Sequence, residues 1–193
     1  MVKIAHRDTR IAEIAARQKR LITIAQLLDL GVSRGAVAGR CRSGRLWAVH
    51  AGVFALDPPP WERRRVWLAA VLAGGPGTLL SDEPAAMLQG LLADGPLAAQ
   101  ITVDRSRSIL RPGITVHRRP IDPRDIRRVD SIPCTSADRT LVDISPRLDE
   151  PQLERIMVAA ESLGLLKRHR LAELTAEHRG RPGIHKLESL LAL

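Results

Sequence analysis

Three consecutive prolines after an aspartate, Asp57-Pro-Pro-Pro60, put the firmest constraint on this chain. Each proline ring fixes φ and removes an N–H donor, so neither a helix interior nor a central strand runs through the segment. The run favours extended polyproline geometry and reads as a stiff linker. The chain is therefore expected to fold as two units, residues 1–57 and 61–193. With 45% hydrophobic residues but one Phe, three Trp and no Tyr, both cores must be built mainly from Leu, Ala, Val and Ile.

The first unit is dense in helix punctuation. IAEIAARQ places Ile11, Ile14 and Ala15 at helical spacing. Thr23-Ile-Ala-Gln26 has the form of a capping box and opens a second helix through Leu30, which Gly31 stops. Ser33 caps a third helix that runs to about Ser43 and ends at Gly44. RLWAVHAGVFAL then alternates and turns at Ala51-Gly52, the pattern of a small hairpin. Helix, short helix, turn, helix and hairpin in this order predict a winged helix-turn-helix, in which the third helix enters the major groove of DNA.

Val37 and Cys41 lie four apart and are expected to pack against Leu27 and Leu30. The opposite face offers Arg34, Gly35, Ala38, Gly39 and Arg42. Glycine costs roughly 1 kcal/mol of helix stability against alanine, yet it lets a partner approach the backbone. With two arginines and no Asn or Gln, the helix suits phosphate anchoring and a narrow set of base contacts. The expected DNA-binding residues are Lys19, Arg20, Ser33, Arg34, Arg42, Arg45 and His50, with His50 near the tip of the wing. Arg40 falls nearer the packed side and is read as structural. Charge agrees with this assignment: residues 1–56 hold ten Lys and Arg against three acids, whereas the other 137 residues hold 20 against 18. Such asymmetry favours a polyanionic partner for the first unit.

The second unit reads as α+β, rich in helix, with a small central sheet. Helices are expected at Trp61 to Ala73 and Ser81 to Leu92, with Gly74-Gly-Pro-Gly77 as a helix stop between them. AQITVDR and GITVHRR predict strands separated by a polar turn around Arg111-Pro-Gly113, and DIRRVDSIPCT predicts a third extended piece. Helices follow at residues 137–144, 150–163, 170–177 and 183–191. The arginine-rich segment His117 to Arg128 is expected to meet DNA or a partner through Arg118, Arg119, Arg127 and Arg128. IMVAAESLGLL is apolar enough for part of it to cover a protein interface, although burial in its own core is the stronger reading.

The order "IAEIAARQ … LLDLGVSRGAVAGRCRSGRLWAVHAGVFAL", continued in "WLAAVLAGGPGTLLSDEPAAMLQGL", "ITV … GITVHRR" and "IPCTSADRTLVDI", resembles the AbiEi family of antitoxins. These belong to type IV toxin–antitoxin, abortive-infection systems, and the likeness is to actinobacterial members without the C-terminal endonuclease-like domain. The resemblance runs to about Leu174. It implies a winged-helix unit that binds the operator of its own operon as a transcriptional autorepressor. It also implies a second domain that helps counteract a nucleotidyltransferase-like toxin. The chain departs from the family where Gly35 and Gly39 replace basic residues, and where Asp82-Glu83-Pro84 follows Ser81. A protein-interaction module that neutralises a toxin by direct contact, without operator binding, is the alternative.

Catalytic patterns are weak. No Gly-Ser turn followed by spaced carboxylates marks a nucleotidyltransferase, and Asp104-Arg105 and Asp130-Ser131 do not make a nuclease's paired carboxylate and lysine. Ser81, His117 and Asp138 supply the residue types of a triad, but nothing in the sequence brings them together. The six histidines show no HxxxH or HExxH pairing, and Cys41 and Cys134 fit no metal or redox spacing. The expectation is a protein that is not an enzyme, with no cofactor and no metal. The cysteines are expected to be reduced, and the location cytoplasmic: no signal peptide is legible and the apolar run VWLAAVLA is too short to span a membrane.

Overall fold

The computed structural model describes residues 2–93, 95 and 98–192, with the backbone alone for residues 2–5. The chain is α+β. Its first 56 residues form α1 (Val2–Ala16), β1 (Leu21–Thr23), α2 (Ile24–Asp29), α3 (Arg34–Arg42) and the hairpin β2 (Trp47–His50) and β3 (Val53–Ala55). The caps behave as their residue types demand. Thr23 accepts from the Gln26 amide, Gln26 reaches back to the Thr23 N–H, and Ser33 accepts from the Ala36 amide. Gly31, Gly44 and Gly52 take the positive φ that ends α2, ends α3 and turns the hairpin.

Two features of this unit differ from the sequence reading. The first helix starts well before Ile11. A third strand, β1, also pairs antiparallel with β3, giving the order β1-β3-β2. Beneath the helices, Ile11, Ile22, Leu27, Val32, Val37 and Leu46 are buried together, with Leu30, Cys41 and Phe54 packed against them. The inward assignment of Val37 and Cys41 therefore holds.

The remainder contains α4 (Arg63–Gly74), β4 (Leu79–Leu80), α5 (Asp82–Leu88), β5 (Ala99–Val103), β6 (Ile114–Arg118), β7 (Ile126–Val129), β8 (Ile132–Thr135), α6 (Ala137–Ile144), α7 (Glu150–Ser162), α8 (Arg168–Glu177) and α9 (Ile184–Leu191). The five strands lie in the order β6-β5-β4-β8-β7. The segment expected as a helix over Ser81 to Leu92 is helical only to Leu88. The single extended piece around Arg127 is a hairpin, β7 against β8. The strands β5 and β6 are parallel, Ala99 facing Ile114, so residues 104–113 form a crossover and not a hairpin turn. Two arginines of that crossover reach the end of α4: Arg107 donates to the Pro76 and Gly74 carbonyls, and Arg111 donates from Nε to the Ala73 carbonyl at 2.8 Å. Cations at a helix C-terminus satisfy its last carbonyls and oppose its dipole.

Burial explains why α4 has no polar face beyond its first turn, Arg63 to Arg65. Trp67, Leu68, Ala69, Ala70, Val71 and Ala73 are all buried, because α4 lies between the two sheets. Leu21, Val53 and Ala55 of the small sheet share one core with α4 and with Leu80, Ile101 and Cys134 of the large sheet. Residues on either side of the proline run thus bury a common surface. A second core, among Leu141, Leu153, Ile156, Leu171, Leu174 and Leu187, gathers α6 to α9. It takes up Ile156, Met157 and Ala160 of IMVAAESLGLL, and only Val158 and Leu163 of that stretch remain as exposed large apolar groups.

The β7–β8 turn is a two-residue loop in which both Asp130 (φ 47°) and Ser131 (φ 66°) are left-handed. That geometry matches the twist of a hairpin and favours glycine. Ser131 is exposed, and left-handed backbone costs a non-glycine residue about 1–2 kcal/mol. Ser131→Gly is expected to stabilise the fold by about 0.5–1 kcal/mol, once the greater unfolded-state freedom of glycine is subtracted. A higher urea midpoint at unchanged m-value would register it.

Candidate nucleic-acid interface

The third helix, α3, presents Arg34, Gly35, Ala36, Ala38 and Arg42 to solvent, and Arg45 is exposed just beyond its end. Ser33 is exposed as its N-cap, with the hydroxyl committed to the Ala36 amide. Arg34 and Arg42 are eight positions apart, so they lie on one stripe two turns from each other. Neither makes an ion pair among the described residues. Arg40, by contrast, is tied to Asp8 of α1, which bears out its structural reading.

Gly35 and Gly39 occupy the adjacent stripe. A Cβ placed on Gly35 would meet nothing within 4 Å, and one on Gly39 would meet only the end of the Arg42 side chain at 3.9 Å. Neither residue has positive φ. The fold therefore has no steric need for glycine at either position, and both give up helix stability.

The remaining cations of the first unit divide. Arg20 is 57% exposed, with its Nε 3.5 Å from Asp57, and it lines a shallow depression with Arg40 and Arg45. Lys19 is a correction: its Nζ lies 2.7 Å from Asp130 in the β7–β8 turn, which Arg64 also contacts at 3.2 Å. Left-handed backbone at Lys19 and Arg20 directs the chain from α1 into β1. This cation thus ties the two units together and is not free for a duplex. His50 is a second correction. The small sheet packs against α4, so the His50 ring is half-buried and its Nε2 has no partner among the described residues. Burial, outweighing a backbone hydrogen bond at Val66, lowers its pKa and keeps it neutral near pH 7. It is not a cation at the tip of a wing.

The arginine-rich segment also divides. Arg118, Arg127 and Arg128 are exposed, the last two on the edge strand β7. Arg119 is the third correction. It grips Asp82 with two nitrogens, at 2.8 and 3.1 Å, and reaches Asp143 at 3.1 Å. Arg147 adds a bond to Asp82 at 2.6 Å. On the far side of Asp143, Arg139 bonds both its oxygens and approaches Asp125, which Arg170 holds at 2.8 Å. Alternating charges thus join the start of α5, the end of β6, α6 and α8.

Asp82 is fully buried with φ 57°, a conformation a non-glycine residue adopts only under constraint. Burial alone would raise its pKa, but the hydrogen bonds and charge of Arg119, with Arg147, more than offset this and hold it below the usual carboxylate range. For Asp143 the balance reverses: burial raises its pKa despite Arg139 and Arg119. The imagined triad does not assemble. His117 lies 3.4 Å from Asp82 and 3.1 Å from Gln100, while Asp138 accepts from the Lys167 amide. The Ser81 hydroxyl is buried without a partner among the described residues. Cys134 is buried, which raises its thiol pKa to about 12, and no disulfide joins it to Cys41. No helix among the described residues is long and apolar enough to cross a membrane.

Comparison with known families and with curated proteins finds no match. Among solved structures, the chain is similar to the crystal structure of the RV2827C protein from Mycobacterium tuberculosis. The two share 20% identity at a TM-score of 0.57, over 97% of this chain and 76% of that one. At that identity the likeness concerns the fold.

Proposed function

We propose that residues 1–57 form a winged helix-turn-helix and that this unit binds double-stranded DNA through α3. The single observation that carries the reading is the open space over Gly35 and Gly39, beside a stripe carrying Arg34 and Arg42. The fold has no steric need for these glycines, whereas a close-fitting surface would. A duplex supplies one, with phosphates for the flanking guanidinium groups. Arg20, Arg45 and the Ser33 end of the helix extend the contact, and Arg118, Arg127 and Arg128 are auxiliary cations.

The biological role we propose is that of an antitoxin and autorepressor. Its partners are its own operator and a nucleotidyltransferase-like toxin, and this part rests on the resemblance to the AbiEi family.

The Arg34→Ala, Arg42→Ala double variant tests the DNA reading in gel shifts with an operator fragment across a salt series. Affinity is expected to fall about tenfold or more, and the slope of log K against log [salt] to shrink by about 2, near 0.9 for each lost phosphate contact. Both side chains are exposed, so thermal stability should not change. Unaltered affinity and slope would exclude α3 as the DNA-contacting helix.

A further inference from the structure

Between the two units lies a cleft of about 720 Å³, bounded by the end of α1, the start of α2, the Ala51-Gly52 turn, the second half of α4 and the β7–β8 turn. That volume is in the range of small-molecule sites. Its apolar lining comes from Ile24, Val71, Leu72 and Pro133, and its polar lining includes Arg17, Arg111 and Arg128. No carboxylate lines it among the described residues. The nearest acid in sequence, Asp130, is already held by Lys19 and Arg64.

Arg111 and Arg128 are anchored without being neutralised. Arg111 donates to the Ala73 and Leu110 carbonyls and Arg128 to the Ser131 carbonyl, all uncharged acceptors. The amides of Gln18 and Gln26, which also line the cleft, are bonded to each other. Charge recognition therefore falls to the guanidinium groups. No aromatic ring lines the cleft among the described residues, so it offers a nucleobase or an aryl group nothing to stack on.

We propose that this cleft is a binding site for a small aliphatic organic anion, with the carboxylate or a similar head group at one of its lining arginines, Arg111 or Arg128, and the hydrocarbon body against Ile24, Val71 and Leu72. A guanidinium suits such a head because it can bond a planar oxyanion with two parallel hydrogen bonds. The site shares Arg128 with the auxiliary cations of the DNA reading but uses none of the α3 side chains, so the Arg34→Ala, Arg42→Ala variant should leave it intact.

Decanoate is the probe, titrated calorimetrically into the full chain, with decylammonium as the control of opposite charge. Decanoate is expected to bind at one site per chain and decylammonium at least tenfold more weakly. Arg111→Ala with Arg128→Ala should weaken decanoate tenfold or more. Ala25→Trp, at an exposed position on the rim, should abolish binding without changing the melting temperature. Equal binding of the two probes, or indifference to these substitutions, would overturn the proposal. So would displacement of decanoate by a random-sequence duplex whose own binding falls on loss of Arg111 and Arg128, because the cleft would then belong to a phosphate backbone.

Discussion

Asp82→Ala is expected to cost about 3–5 kcal/mol of unfolding free energy, the usual consequence of removing one partner from a buried ion pair. Asp82 is fully buried and receives bonds from Arg119 and Arg147. Without it, Arg119 keeps Asp143 and Arg147 keeps Glu83, so each guanidinium retains one acid, and Arg119 loses the one it grips with two nitrogens. Alanine is also poorly suited to φ 57°, whereas Asn tolerates left-handed backbone. Asp82→Asn preserves shape and backbone and so isolates the charge. It should retain most of the loss. Urea denaturation at pH 7 measures both, and a loss below about 1 kcal/mol in each would mean that Asp143 and Glu83 compensate fully.

Acid adds a second signature. Because the folded-state pKa of Asp82 is depressed, its stabilising contribution is fully present above the unfolded carboxylate value, about 3.9, and disappears as pH falls through the folded value. The gap between wild type and Asp82→Ala should therefore narrow below about pH 4. Asp143, with its raised pKa, works in the opposite sense: it favours the fold most when protonated, so its substitution would widen stability at neutral pH only if Arg139 and Arg119 found other partners.

The caps and turns of the first unit were legible because each is signalled locally. Thr23 with Gln26, Ser33, Gly31, Gly44 and Gly52 act within three or four residues of themselves. The strand β1 was not legible, because three residues do not reveal a period and its partner, β3, lies some thirty positions downstream. Parallel pairing of β5 and β6 escaped for a related reason: a polar stretch containing Pro-Gly resembles a turn whichever way the next strand runs. The cations were the hardest to place, because composition gives their number and only tertiary packing gives their partners. Lys19 meets Asp130 across more than a hundred residues. One clue did exist for Arg118 and Arg119. Consecutive residues at a strand end point to opposite sides, so one of the pair was expected to turn inward, where it needs an acceptor such as a carboxylate.

Opposite signs are expected when Gly35 and Gly39 are both replaced by alanine. Each substitution adds helix propensity worth about 0.8–1 kcal/mol, and neither Cβ meets an obstacle in the fold, so together they should stabilise the protein by roughly 2 kcal/mol. Against a duplex the same two methyl groups would stand between the helix backbone and the surface that Arg34 and Arg42 flank. Overpacking of a close-fitted contact costs about 1–3 kcal/mol for each intrusion, so affinity should fall about 30-fold or more. Nonspecific attraction of the arginines is untouched, and the salt slope should change far less than in the arginine double variant. The two pairs of substitutions therefore separate charge from closeness: one removes cations and spares shape, the other removes shape and spares cations. A glycine variant that melts higher and still binds at full strength would show that no partner approaches this helix closely, and the two glycines would then have no account in either the fold or its contacts.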